Sequence, residues 1–219
     1  LEAGTFAQNV VVNKALSLIG PHAGVHGNDG TRGTGEAIVL ASSGNAIALS
    51  ASDITINGLT ISNANGHGIR RISGSTADDL SLVYNRFVNI ENGSGVFSEP
   101  GHSVSGDGFL IAHNLFKDII YTPTGSHAEF GRGIALFEGT RNARIENNDF
   151  QGSIRYHAVH LNGGGRLLAD SIIIGNRING MGTTALTLTA TQGTVVRGNV
   201  IQNGWRALHL SNNTIGFTA

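Results

Sequence analysis

The chain has 219 residues with 14 basic and 15 acidic side chains, a net charge of −1, 40% hydrophobic residues, 13% charged residues and 32 glycines. That much hydrophobicity excludes a disordered chain, and the balanced charge argues against nucleic acid or an anionic membrane as a partner. The lack of cysteine excludes disulfides and thiolate metal sites, and no apolar run is long enough for membrane insertion or bears the charged flank of a signal peptide.

Few charges, many glycines and only 3 prolines favour short strands joined by tight turns. The chain opens on the strand-like GTFAQNVVVNKALSLIGPHAG (4–24) and runs into GNDGTRGTG (27–35), which lacks a P-loop lysine and a following helix and reads as a loop. From there one motif recurs: a short aliphatic stretch, Asn, any residue, then Ile, Leu or Phe. It appears as ITINGL (54–59), SLVYNRF (81–87), LIAHNLF (110–116), RIENNDF (144–150), IIIGNRI (172–178) and VVRGNVI (195–201). The asparagines are Asn57, Asn85, Asn114, Asn148, Asn176 and Asn199, at intervals of 28, 29, 34, 28 and 23. Between them lies a second element, usually after Gly: GIRRI (68–72), GVFSE (95–99), GIALF (133–137), AVHLN (158–162), ALTLT (185–189) and ALHLS (207–211).

These runs alternate with period two rather than 3.6, and a repeat of this length cannot bury its own apolar face, so it must stack on its neighbours. The reading is an all-β chain forming a right-handed parallel β-helix: one domain over residues 1–219 (alone or as part of a longer secreted protein), with about eight three-strand coils. A side-chain amide in the bend between strands can donate to and accept from its equivalents above and below, so Asn85, Asn114, Asn148, Asn176 and Asn199 are expected to form a ladder. The repeat, with the G-x-[YF]-x-x-x-[VI]-x-[VI]-x-K style of opening at 4–24, resembles the right-handed parallel β-helix proteins of the pectate-lyase-like superfamily. That superfamily includes lyases, hydrolases, epimerases, esterases, tailspikes and non-catalytic surface modules. The resemblance therefore implies fold more strongly than function.

In that resemblance, the outer face of the sheet after the post-ladder turn lines the substrate groove. Alternation points Ile69, Val96, Ile134, Val159, Leu186 and Leu208 inward and Arg70, Phe97, Ala135, His160, Thr187 and His209 outward. A second outward column holds Glu99, Phe137, Asn162, Thr189 and Ser211; Arg71 would face inward unless its strand is bulged. The entering loops add His67, Glu129, Arg132, Arg155, Tyr156 and His157. Arg132, Arg155, Tyr156, His157 and His160 have the chemical types for β-elimination or epimerisation of a uronate: a base for the C5 proton and a cation for the adjoining carboxylate. Arg70, Phe97, Glu99, Asn162 and His209 are the expected substrate-binding residues.

Extensions at 118–131 and 99–108 fall where solenoid insertions gather on a binding face. GHG at 66–68 resembles the histidine motif of polygalacturonases, but the paired aspartates (Asp78 and Asp79) follow it and no Arg-x-Lys occurs, so hydrolysis by two carboxylates is not favoured. His157 and His160, three apart on a strand, are expected on opposite faces, which argues against zinc. No cofactor is expected; calcium is open only through Glu99, Asp107 and Glu138. The reading is thus a secreted or bacterial cell-surface protein that binds and processes a uronate-containing polysaccharide. The alternative is a non-catalytic structural or adhesive module. No end carries a helical cap, so stacking or homo-oligomerisation through the ends is also an expectation.

Overall fold

The computed structural model describes all residues except 33, 64, 73, 76, 99–105, 123–129, 165–167, 213 and 219. Among the described residues there is no helix; all pairings between named strands are parallel, and the strands stack into three long sheets. Each turn of the chain adds one strand to each sheet, as in Arg86–Glu91, Val96–Ser98 and Leu110–Ala112, followed by Leu115–Ile120, Ile134–Phe137 and Arg144–Glu146. The first and second sheets have eight strands each and the third has seven. A ribbon of two-residue strands (Gly106–Asp107, Thr140–Arg141, Leu168–Ala169, Thr191–Gln192) forms a fourth, short sheet. This is the architecture of a parallel β-helix.

The core is built in columns. Val39, Ile61, Phe87, Phe116, Phe150 and Ile178 share one register of the first sheet. Phe87 and Phe116 stack at 4.6 Å with planes 2° apart, and Phe116 and Phe150 at 4.8 Å and 8°. The corner entering the second sheet is shaped to this stack. A Cβ on Gly95 would lie 2.6 Å from Gly133 O and 2.8 Å from the Phe116 ring, and one on Gly133 2.6 Å from both Ala158 O and the Phe150 ring. At the same corner stand Ala46 and Ala158, each one turn before an isoleucine of the column, Ile61 and Ile178. Small corner residues and large rings are thus exchanged turn by turn.

The bend between the third and first sheets carries a chain of amide contacts. Asn114 Nδ2 donates to Asn148 Oδ1 at 2.9 Å, Asn148 Nδ2 to Asn176 Oδ1 at 3.0 Å and Asn176 Nδ2 to Asn199 Oδ1 at 2.9 Å. Each amide also donates to a backbone carbonyl of the preceding turn, as Asn85 does to Ile56 O and Asn148 to Ile111 O, both at 2.8 Å. The backbone N–H groups of Leu59, Asn85, Asn114 and Asn148 donate to the side-chain oxygen of the next turn's asparagine at 2.8–3.0 Å. Asn57 is a correction: Leu59 occupies the equivalent position, and the Asn57 side chain instead accepts from Gly24 N at 3.3 Å. The reason lies in the preceding residue, left-handed in six successive turns. Gly58, Tyr84, His113, Asn147, Gly175 and Gly198 have φ between 51° and 74°, so it is Gly58, not Asn57, that sets the phase.

Arg71 faces inward without a bulge, in register with Leu49 and Ser98. It is 2% exposed, its Nη2 donates to Ser75 O at 3.0 Å, and its guanidinium lies 5.9 Å from the Phe109 ring centre. Burial lowers its basicity and the Asp78 carboxylate partly restores it.

The glycine-rich stretch expected to be an ordinary loop is a strap across the outside of several turns. Gly20 N bonds Asn57 O at 2.8 Å, Gly27 N bonds His113 O at 2.9 Å and His26 Nε2 reaches Asn147 O at 2.8 Å. Gly27 is required by close approach, since a Cβ there would overlap Asn85 O and Leu115 N. Arg32, 2% exposed, donates to Tyr84 O and pairs with Glu36 at 2.9 Å, while Thr60 Oγ1 donates to the same carboxylate at 2.8 Å. Burial alone would raise the Glu36 carboxyl, but the bonds from Arg32 and Thr60 hold it below its usual range.

Candidate functional site

The outward column expected on the second sheet is in register: Arg70 pairs with Phe97, Phe97 with Ala135, Ala135 with His160, His160 with Thr187 and Thr187 with His209. Its second row is also aligned, with Phe137, Asn162, Thr189 and Ser211 on successive strands; Glu99 and Glu129 lie outside the described residues. Although this row faces away from the core, its middle is buried. Phe97 is 5% exposed, Ala135 0%, His160 7% and Thr187 5%. Phe97, Ala135 and Phe137 form an apolar cluster of their own, separate from the main core. Phe130 packs edge-on against both Phe97 and His67, and His67 stacks on Phe97 at 4.2 Å.

His157 and His160 are on the same side, correcting the expectation of opposite faces: their rings are 5.2 Å apart. Ala158 and Val159 both belong to the core, so the corner at Ala158 interrupts the alternation and turns His157 outward with His160. His157 Nδ1 lies 3.3 Å from Thr184 O, an acceptor only, and 3.1 Å from Thr187 Oγ1. The proton therefore belongs on Nδ1, leaving Nε2 as the basic nitrogen. Burial pushes the His157 imidazole down to about 4, with Arg132 and His209 adding to the effect and the Thr184 bond opposing it. Burial pushes His160 down to about 2, with Arg132, His157 and His209 acting in the same direction. Its Nδ1 has no hydrogen-bond partner among the described residues. Arg132 is 6% exposed with its guanidinium 5.7 Å from the Phe137 ring centre.

Arg155 and Tyr156 lie elsewhere. They line an open cleft of about 650 Å3 at the bend from the first sheet to the second, with Tyr121, Ser153, Gly180 and Thr183. The strands of the first sheet widen there through bulges, with register shifts in Arg86–Glu91 and Leu115–Ile120 and left-handed Asn89, Asp118 and Gly152. Arg155 is exposed with its guanidinium 5.9 Å from the Tyr156 ring centre, and Thr183 Oγ1 donates to Tyr156 O at 2.6 Å. Tyr156 also links the cleft to the sheet face, its ring 6.2 Å from that of His157.

The five residues read as catalytic thus form two groups. Arg132, His157 and His160 gather on the sheet face, Arg155 and Tyr156 sit in the cleft, and the Tyr156–His157 contact joins them. Among the expected binding residues, Arg70, Asn162 and His209 are part-exposed on the face and Phe97 is buried in it. Asn162 Oδ1 is engaged by Gly164 N at 2.9 Å. Tyr121 was not singled out by sequence. No motif in the sequence marks it; the fold alone brings it into the cleft beside Tyr156. No group of three or more histidines and carboxylates able to hold a metal occurs among the described residues.

No family model matches the chain, and no curated protein matches it. Among solved structures, the catalytic unit of the thermostable GH87 alpha-1,3-glucanase from Streptomyces thermodiastaticus strain HF3-3 is similar, with a TM-score of 0.39 and 10% identity. The match covers 98% of this chain and 50% of that one, so the chain spans about half its length.

Proposed function

We propose that this protein acts outside the cell on a uronate-containing polysaccharide, binding it in the cleft at the bend between the first two sheets and cleaving or epimerising it there. The observation that carries the reading is the exposed Arg155 guanidinium beside Tyr156 in a cleft of about 650 Å3. A planar guanidinium binds a carboxylate with two parallel hydrogen bonds and neutralises the charge that builds on it when the neighbouring C5 proton leaves. His157, part-exposed beside Tyr156 and carrying its proton on Nδ1, offers Nε2 to take that proton. In elimination the C5–H and C4–O bonds break, a C4=C5 bond forms and the leaving oxygen takes a proton from the Tyr156 hydroxyl. In epimerisation C5 is reprotonated from the other side. Arg132 and His160, both buried, are assigned to holding the sheet face and His157 in place rather than to substrate contact.

The test is titration with pectate, alginate and glycosaminoglycans, following binding and the ultraviolet absorbance of unsaturated ends. Arg155→Ala is expected to weaken uronan binding about 10- to 100-fold without changing stability. If no uronan binds, the reading is wrong. Uronan binding with neither unsaturated product nor altered C5 configuration would instead establish a non-catalytic binding module, the alternative that the low basicity of His157 favours.

A further inference from the structure

The outer face of the first sheet carries a second groove, of about 300 Å3, between the strap and the strands beginning at Asp149, Arg177 and Val200. That volume is at the small end for ligand pockets and suits a short saccharide rather than a large ligand. Its walls are amides and one opposed ion pair. Gln151 Nε2 donates to Asn28 Oδ1 at 2.8 Å, fixing both amides while leaving the Asn28 Nδ2 donors and the Gln151 Oε1 acceptor without another partner among the described residues. Asn203 Nδ2 donates to Asn179 Oδ1 at 2.8 Å, which leaves the Asn179 donors in the same way. Asp149 and Arg177 are adjacent in register with Nε and Oδ1 3.5 Å apart, so their charges cancel locally.

Val200, next to Arg177 on the following strand, is 52% exposed and gives the groove an apolar patch. The Asn28 wall is held in place, because the His26 ring beside it bonds Asn147 O and accepts from Asn28 N at 3.1 Å. An apolar patch flanked by fixed, uncharged donors and acceptors matches a pyranose ring, which presents C–H groups on one face and hydroxyls at its edge. It offers a carboxylate no unopposed cation. Gln151 and Asn179 directly precede Gly152 and Gly180 of the cleft, so the two sites abut along the strands.

We propose that this groove binds an uncharged sugar unit, so that groove and cleft together accept a glycan carrying neutral and uronate sugars side by side. The second half rests on the uronate reading of the cleft; the first does not. The experiment is calorimetric titration of the intact chain with three probes: neutral gluco-, manno- and xylo-oligosaccharides, homo-uronate oligomers, and mixed neutral–uronate oligomers. Gln151→Ala and Asn179→Ala are each expected to weaken the neutral and mixed probes at least about 10-fold and leave the homo-uronate unchanged. Val200→Asp, a surface change that leaves the amides in place, is expected to do the same. Arg155→Ala is expected to weaken the mixed and homo-uronate probes only. Neutral binding with no uronate binding would keep the groove and remove the cleft reading. No neutral binding, or neutral binding indifferent to Gln151→Ala and Asn179→Ala, would overturn the groove.

Discussion

The asparagine bend and the outer face of the second sheet are built on the same strand spacing, yet they use it in opposite ways. In the bend, one side chain must satisfy groups of two neighbouring turns, and five turns in succession carry the same residue. On the outer face the register is equally regular, but successive strands place Arg70, Phe97, Ala135, His160, Thr187 and His209. Regular geometry therefore enforces a repeated residue only where backbone groups depend on the side chain. Where they do not, the column is free to diverge and can hold a site.

The sharpest way to break this contrast is Asn148→Ala. It removes the acceptor of Asn114 N and Asn114 Nδ2 and the donor to Ile111 O, all buried. A loss of about 3–5 kcal/mol is expected by urea unfolding, because several orphaned groups add. A loss no larger than that of an outer-face change such as Thr187→Ala would dissolve the distinction.

Next is acid. His67 is pushed down to about 3 and His160 to about 2, in both cases chiefly by burial, from an ordinary value of 6.5. Below about 6.5 the unfolded chain takes up protons that the folded chain refuses, so stability is complete above that pH and is lost as pH falls. Between about pH 7 and about pH 5 these two imidazoles should together cost about 3–4 kcal/mol. His157, pushed down to about 4, adds a similar share over the same range, so His160→Leu should flatten the overall slope by about a third. A pH-independent urea midpoint over that range would contradict the burial of the outer face.

The smallest effect is expected at the corner that joins the two regions. Gly133→Ala drives a Cβ against the Phe150 ring and Ala158 O and should cost about 1–3 kcal/mol. The double change Gly133→Ala with Phe150→Ile should recover part of it, since it copies the pairing of Ala158 with Ile178. Simple additivity of the two losses would show that ring and corner are independent.

The parallel strands, the inward column of the second sheet and its outward column could all be read from the spacing of Asn-x-[Ile, Leu, Phe] and from two-residue alternation. Reading failed where a local rule was overridden by something one turn or more away. Asn57 mimics the motif, but the left-handed residue that fixes the phase is Gly58. Arg71 breaks alternation in sequence yet keeps it in space, because Ser75 O and Phe109 receive its guanidinium inside the coil. The burial of Phe97 and His160 had no signal on their own strands, since Phe130, which packs on Phe97, comes from the extension between strands. Arg155 and Tyr156 fell into a different site from Arg132 because the bend, not the strand, carries them.

The strap has a consequence for how the molecule assembles. His26 and Asn28 find their partners 121 and 123 residues further along, so these contacts cannot close until the turn containing Asn147 and Gln151 has been laid down. Turns can stack one on the next through short loops, and the strap can dock earlier on Asn57 and Tyr84, whereas its His26 and Asn28 contacts wait for a loop of more than a hundred residues. Contacts made that late are absent from an early transition state and act almost wholly on the rate of opening. The His26 and Asn28 end of the strap then serves as a latch: it does little to speed formation of the turns it crosses and slows their opening.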